Sequence, residues 1–215
     1  MTGMMGVEGG AAAADPGWVP AKRSSATTIP KAPVAFSHRG LLFRPVETED
    51  LDAVRRLRND ESTWVHLSDP RILFPADQEA WLRSLGARAG KFFFVASDAL
   101  HPFVGLVRMD EFDPLNRSIR VGADVVPELR RQGFGRRIFG AIKKYCFDFL
   151  NVHRVWLLVL ESNEAARGLY RKEGFRDEGV LRDAVFRGGK YVHYVSMSLL
   201  ESEYRGTTAT GGEPA

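Results

Sequence analysis

The run Val125-Val126-Pro127-Glu128-Leu129-Arg130-Arg131-Gln132-Gly133-Phe134-Gly135-Arg136-Arg137 decides how this chain folds. It joins the end of a strand, Ser118 to Val126, to a helix opening near Phe134, with Arg-x-x-Gly-x-Gly at the joint. Glycine lets a backbone approach a ligand closely. A helix amino terminus adds unpaired N–H groups and partial positive charge. Arg130, Arg131, Arg136 and Arg137 place full charges beside them. The segment reads as a candidate pyrophosphate cradle or, more plainly, as a Gly-rich turn with a solvated basic face. A Walker loop would end in Gly-Lys-Ser/Thr, and a dinucleotide fingerprint needs a third glycine and a later acid. Neither is present.

Outward from this joint, strands and helices alternate. Downstream, Phe134, Ile138, Phe139, Ile142, Cys146 and Phe149 recur at helical spacing. The nearly all-apolar strand Val155–Leu160 follows, of the kind buried on both faces. A helix from Glu164 to Glu173 stops at Gly174, and strands near Val180–Phe186 and Tyr191–Leu200 flank a Gly188-Gly189 turn. Upstream, Leu41–Val46 reads as a first strand with Pro45 near its end. Thr48 is placed to cap a helix with Glu49, Asp50 and Asp52 in its first turn and Leu51, Val54 and Leu57 as its buried stripe. A short helix from Asp77 carries Trp81, Leu82 and Leu85, and Phe92–Ala96 and Phe103–Val107 complete the strands. The predicted class is α+β (an α/β mixed sheet with helices on its faces).

A second segment, Glu161-Ser162-Asn163-Glu164-Ala165-Ala166-Arg167-Gly168-Leu169-Tyr170-Arg171-Lys172-Glu173-Gly174-Phe175, begins where the buried strand stops. Asn163 therefore lies at the carboxyl edge of the sheet, where open α/β sheets bind ligands. It is also a plausible helix cap. Tyr170 is two helical turns further on the same face, either as core packing or as a proton donor.

Taken in order, the two segments resemble the acetyl-CoA motifs of the GNAT superfamily of N-acetyltransferases. Arg130, Gly133 and Gly135 match Gln/Arg-x-x-Gly-x-Gly/Ala, and Asn163, Ala166, Tyr170, Gly174 and Phe175 match the Asn-x-x-Ala-x-x-x-Tyr-x-x-x-Gly-Phe stretch. Arg56-Leu57-Arg58-Asn59-Asp60 and Leu181 to Tyr191 resemble the branch holding ribosomal-protein N-terminal and amino-sugar N-acetyltransferases. The resemblance runs from Leu41 to Tyr204. It implies a single domain whose central, mostly antiparallel, twisted sheet is splayed at the acetyl-CoA site. The domain is expected over residues 35–204, with flexible tails at 1–34 and 205–215.

The resemblance also implies direct acetyl transfer in a ternary complex with acetyl-CoA and without a metal. Val125 and Val126 would pair with the pantetheine arm. Arg130, Arg131, Gln132, Gly133, Phe134, Gly135 and Arg136 would cradle the pyrophosphate. Asn163 would orient the pantetheine or a bridging water, and Tyr170 would protonate the departing thiolate as general acid. The acceptor ammonium must first lose a proton held to about pH 10. Glu161, Asp124, Glu111 and water all remain open as its destination. The acceptor is expected to be an amino-sugar, nucleotide-linked, or a protein amino terminus. A non-catalytic acyl-CoA-binding module is the alternative of another class.

Composition narrows the rest. With 30 basic and 27 acidic residues the net charge is only +3, which argues against a dedicated nucleic-acid binder. In addition, Phe134, Phe139 and Phe149 follow the buried stripe and do not interleave with Arg130 to Lys144 on an exposed face. No apolar run approaches the ~18 residues of a membrane span, and the Ala-rich start lacks a basic n-region and an apolar h-region. The single cysteine, Cys146, falls on the apolar stripe as packing, and a cytoplasmic setting is expected. His66, His101, His153 and His193 show no metal-ligand spacing. The partner expected is a small-molecule amine or a protein amino terminus, not nucleic acid or membrane, and a homodimer is allowed for.

Overall fold

The computed structural model describes residues 33–85 and 90–210, with the side chains of 207–210 excepted. Most of the expected 1–34 and 205–215 tails lies outside these residues. The strands are β1 Phe36–His38, β2 Leu41–Pro45, β3 Phe92–Ser97, β4 Gly105–Asp113, β5 Ser118–Val125, β6 Arg154–Leu160, β7 Arg176–Arg187 and β8 Lys190–Leu200. The helices are α1 Leu51–Asn59, α2 Glu61–Trp64, α3 Pro75–Leu85, α4 Phe134–Lys144, α5 Glu164–Lys172 and α6 Glu201–Thr210. The eight strands form one sheet in the order β1-β2-β3-β4-β5-β6-β8-β7. Every neighbouring pair is antiparallel except β5 and β6.

Alternation along the strands divides the core between the two faces. Val107, Met109, Ile119 and Val121 turn toward α4, where Phe134, Ile138, Phe139 and Ile142 are buried with them. Leu106 and Val95 turn the other way, onto Val54 and Leu57 of α1 with Trp81 and Leu82 of α3 alongside. Helices thus cover both faces of a mixed, mostly antiparallel sheet, the α+β architecture expected.

Several local expectations need correction. Thr48 does not cap α1: Thr48–Asp50 is a 3₁₀ turn preceding the helix, capped at Glu47. Asp50 is buried, accepts from the Glu47 N–H at 2.9 Å and holds both terminal nitrogens of Arg44 at 2.6 Å. It therefore serves a buried ion pair in addition to the helix start. The long helix after Gly133 ends at Lys144, and Tyr145–Phe149 is a π-helical turn. Its wider pitch breaks the 3.6-residue stripe. Cys146 stays buried, but Phe149 turns out to 70% exposure and leaves the buried set assigned to it. α6, Glu201–Thr210, runs past Tyr204 and includes Arg205. There Tyr204 stacks on Phe147 with ring centroids 4.7 Å apart, and Arg205 pairs with Glu201 at 3.0 Å. β1 and α2 are short elements that the sequence pattern did not mark.

Candidate active site

β5 and β6 pair only over Ser118–Arg120 and Arg154–Trp156, although they run on to Val125 and Leu160. Beyond Arg120 the two strands diverge, and a cavity of about 720 Å³ opens between their carboxyl ends. This is the crevice position at which open sheets take ligands.

One side of the cavity is the loop from β5 to α4. Gly133 is the N-cap of α4 with φ +84°, a left-handed conformation that glycine adopts without steric cost. A Cβ on Gly133 would meet nothing within 4 Å, so the requirement there is conformational. A Cβ on Gly135 would lie 3.0 Å from Leu169 Cδ2, so this glycine lets α4 approach α5 closely. The first turn of α4 contains no acid to compete for its N–H groups. Arg131 and the exposed Arg136 line the cavity beside it. These donors suit a pyrophosphate.

Arg130 has a different task. Its Nε donates to the Val125 carbonyl at 2.9 Å, and its terminal nitrogens donate to Ser62 Oγ at 2.6 Å and Thr63 Oγ1 at 2.5 Å. The guanidinium is thus occupied in tying the loop to α2. Of the other residues expected here, Val125, Arg131, Gly133, Gly135, Arg136 and Asn163 line the cavity. Val126, Gln132 and Phe134 do not: Val126 packs between the two cores, and Gln132 donates to the Glu128 carbonyl. Phe134 is buried under the Arg137 guanidinium.

α5 forms the opposite side. Asn163 is its N-cap, with Oδ1 accepting from the Ala166 N–H at 3.1 Å. The cap reading holds, and the residue also lines the cavity. The Tyr170 ring packs edge-on to Phe139 with centroids 4.9 Å apart and stands 6.0 Å from Phe175. Burial pushes its hydroxyl up to about 12, with the charge of Asp124 adding to the rise and that of Arg108 opposing it.

Among the candidate bases, Asp124 alone lines the cavity. Its Oδ2 is buried without a hydrogen-bond partner among the described residues and lies 3.3 Å from an Arg108 nitrogen. Glu161 is exposed outside the cavity, and Glu111 pairs with Arg120 at 2.9 Å. Nothing in the sequence marks the part of the lining made by Ser62, Thr63 and His66, nor the Arg108, Arg120 and Tyr194 side chains that line the same cavity. Desolvation, helped by the positive Arg130, lowers the His66 pKa against the pull of Asp124. Among the described residues no cluster of His, Cys, Asp or Glu could hold a metal ion, and no helix is long and apolar enough to cross a membrane.

The family model described as an acetyltransferase (GNAT) domain matches residues 40–176. Spermidine N(1)-acetyltransferase of Vibrio cholerae is 30% identical over 165 residues, covering 76% of this chain and 95% of the relative. Its counterpart in Escherichia coli K12 is 28% identical over 178 residues, covering 82% and 95%. The crystal structure of the Vibrio cholerae spermidine N-acetyltransferase with CoA and spermine superposes at TM-score 0.73 and 28% identity, over 77% of this chain and 98% of that one. These relatives are named for a polyamine. The ribosomal-protein and amino-sugar branch suggested by Arg56–Asp60 and by residues 181–191 is not the one these likenesses favour.

Proposed function

The chain belongs to the GNAT acetyltransferase family, and from that premise we propose how its cavity moves an acetyl group and which amine receives it. The protein is an acetyl-CoA-dependent N-acetyltransferase acting on a primary amine. The observation that carries the assignment of roles is the divergence of β5 from β6 after Arg120, which brings the loop, Asn163 and Tyr170 around one cavity.

Acetyl-CoA supplies an activated thioester carbonyl and a thiol leaving group. The first turn of α4, with Arg131 and Arg136, holds the pyrophosphate through N–H groups and charge. Val125, at the free end of β5, presents its backbone to the pantetheine arm. Asn163 holds the start of α5 in place, and Tyr170 keeps its proton at neutral pH and donates it where thiolate charge develops. On the acceptor side, Asp124, whose Oδ2 is ion-paired with Arg108 at 3.3 Å, and His66, held neutral, both line the cavity and face the amine. Proton removal then runs from ammonium to Asp124, His66 or water between them.

The acceptor is a small molecule. Likeness to the spermidine acetyltransferases makes a polyamine the reference acceptor, and a protein amino terminus has no support among these relatives. Thiol release from acetyl-CoA, measured with spermidine and with a panel of other small amines, tests the reading. Acetyl-CoA that neither binds nor turns over with any amine would overturn it.

A further inference from the structure

Along one face of β4 and β5, Leu106 stands opposite Asp124, Arg108 opposite Gly122, and Asp110 opposite Arg120. Directly opposed residues of an antiparallel pair share a face, so the six form a single row. All of them except Leu106 line the cavity. Asp110 is taken by Arg120, which donates from Nε at 2.8 Å and from a terminal nitrogen at 3.1 Å. Arg108 therefore finds the neighbouring acid of its own strand occupied. It crosses to β5, where a terminal nitrogen stands 3.3 Å from Asp124 Oδ2.

Gly122 is what lets it cross. A Cβ built there would stand 3.0 Å from the Arg108 terminal nitrogen and 3.5 Å from its Cζ and Nε. The guanidinium thus lies against bare backbone. Gly122 is not among the glycines of positive φ, so no turn or left-handed conformation calls for it. Glycine otherwise weakens a strand interior, and there it marks a close approach. The ion pair is also poorly satisfied as a purely structural bridge. Arg108 Nε and Asp124 Oδ2 are both buried without a hydrogen-bond partner among the described residues. A pair serving stability alone would fill those positions.

We propose that Arg108 is a positioning residue for the acceptor amine, acting through Asp124, and that Gly122 is the bare site that seats it. Arg108 fixes the direction in which the Asp124 carboxylate meets the amine. The inference rests on the acetyl-transfer reading and adds to it the residues that aim its acceptor-side carboxylate. A carboxylate free to turn loses rate through misplacement, while cofactor binding is untouched.

The test measures thiol release from acetyl-CoA by the full-length protein with spermidine, glycine and glucosamine, and follows the fastest of the three. Arg108→Met should lower kcat/KM for that amine about tenfold. Gly122→Val, whose methyl groups take the place of the guanidinium, should do the same. Calorimetry should return the parent's CoA affinity in both, and Gly122→Val should keep its Tm, since a β-branched residue suits a strand. Asp124→Asn should cost about 10²-fold or more. Adding Arg108→Met to it should cost less than about twofold further, because no carboxylate is then left to aim. A crystal structure of Gly122→Val with CoA should place the guanidinium beyond about 4 Å from Asp124 Oδ2, outside ion-pair range. Independent, multiplicative losses in the double variant would overturn the inference. So would parental rates in Arg108→Met or Gly122→Val, CoA affinity that falls in step with rate, or a guanidinium unmoved in the crystal. If the parent binds no CoA or turns over none of the three amines, it is the acetyl-transfer reading that fails, and the crystal structure still decides whether Gly122 seats Arg108.

Discussion

Replacing Tyr170 by phenylalanine separates chemistry from packing. The ring contacts with Phe139 and Phe175 survive in Tyr170→Phe, and no described residue hydrogen-bonds the hydroxyl. Stability should therefore change by less than about 1 kcal/mol, or some 2–4 °C in Tm for a chain of this size. Turnover is a different matter. A hydroxyl raised to about 12 lies roughly 3.5 units above a free thiol near 8.5, which makes full proton transfer uphill by about 5 kcal/mol in water. That gap narrows inside the cavity, because shielding from water raises a thiol as well. Burial does so at Cys146 of this same chain. The acid is then matched to the thiolate it meets, and its loss should lower kcat by roughly 10²–10⁴. Acetyl-CoA affinity should move by no more than about 1 kcal/mol. The assay combines initial rates of thiol release, calorimetry with acetyl-CoA, and a melting curve on one variant. Turnover within about threefold of the parent would reject the acid role and leave water as the proton donor.

Gly133→Ala should raise the acetyl-CoA dissociation constant about tenfold, since the added Cβ meets open space and acts only on the left-handed backbone; unchanged calorimetry in a folded variant would remove this loop from the cofactor site. Arg130→Ala should cost about 2 kcal/mol of stability and weaken acetyl-CoA as well, and Arg130→Lys should not rescue it, because a point charge cannot reach Val125, Ser62 and Thr63 together. The pH profile of kcat/KM should rise as the acceptor ammonium loses its proton toward about pH 10. Tyr170 acts in its protonated form, so its raised pKa moves the falling limb upward. No decline is therefore expected below about pH 11, and a fall centred near 10 or lower would contradict a buried acid.

The fold was legible where hydrophobic period and length agreed. Val155–Leu160 reads as a strand, and it is one, with Val155, Leu157 and Val159 buried and Trp156 and Leu158 only half-buried on the other face; the Phe134–Ile142 stripe reads as a helix packed on the sheet. Short or irregular elements were not legible. β1 has three residues and α2 four, too few to show a period, and the π-helical turn that exposes Phe149 carries no compositional mark. The part of the cavity lined by Arg130–Arg136 and Asn163–Tyr170 was readable because its residues sit in contiguous segments. The other part was not, because its side chains come from α2 and the segment after it, β4, β5, β6 and β8. Arg108, Asp124 and Tyr194 come to line one cavity only when register and crossover bring them together. Arg130, a motif residue expected at the phosphates, lines the cavity but donates to Val125, Ser62 and Thr63.

That engagement has a thermodynamic consequence. One guanidinium joins the end of β5 and the loop before α4 to Ser62 and Thr63, which line the same cavity. A ligand that shifts α2 would strain or relax the contacts that join it to this loop, so coupling between cofactor and acceptor through Arg130 is the expected outcome. Linkage makes the effect reciprocal: the factor by which acetyl-CoA changes acceptor affinity equals the factor by which acceptor changes acetyl-CoA affinity. A double titration in either order must return the same coupling free energy, and Arg130→Ala must reduce both factors together.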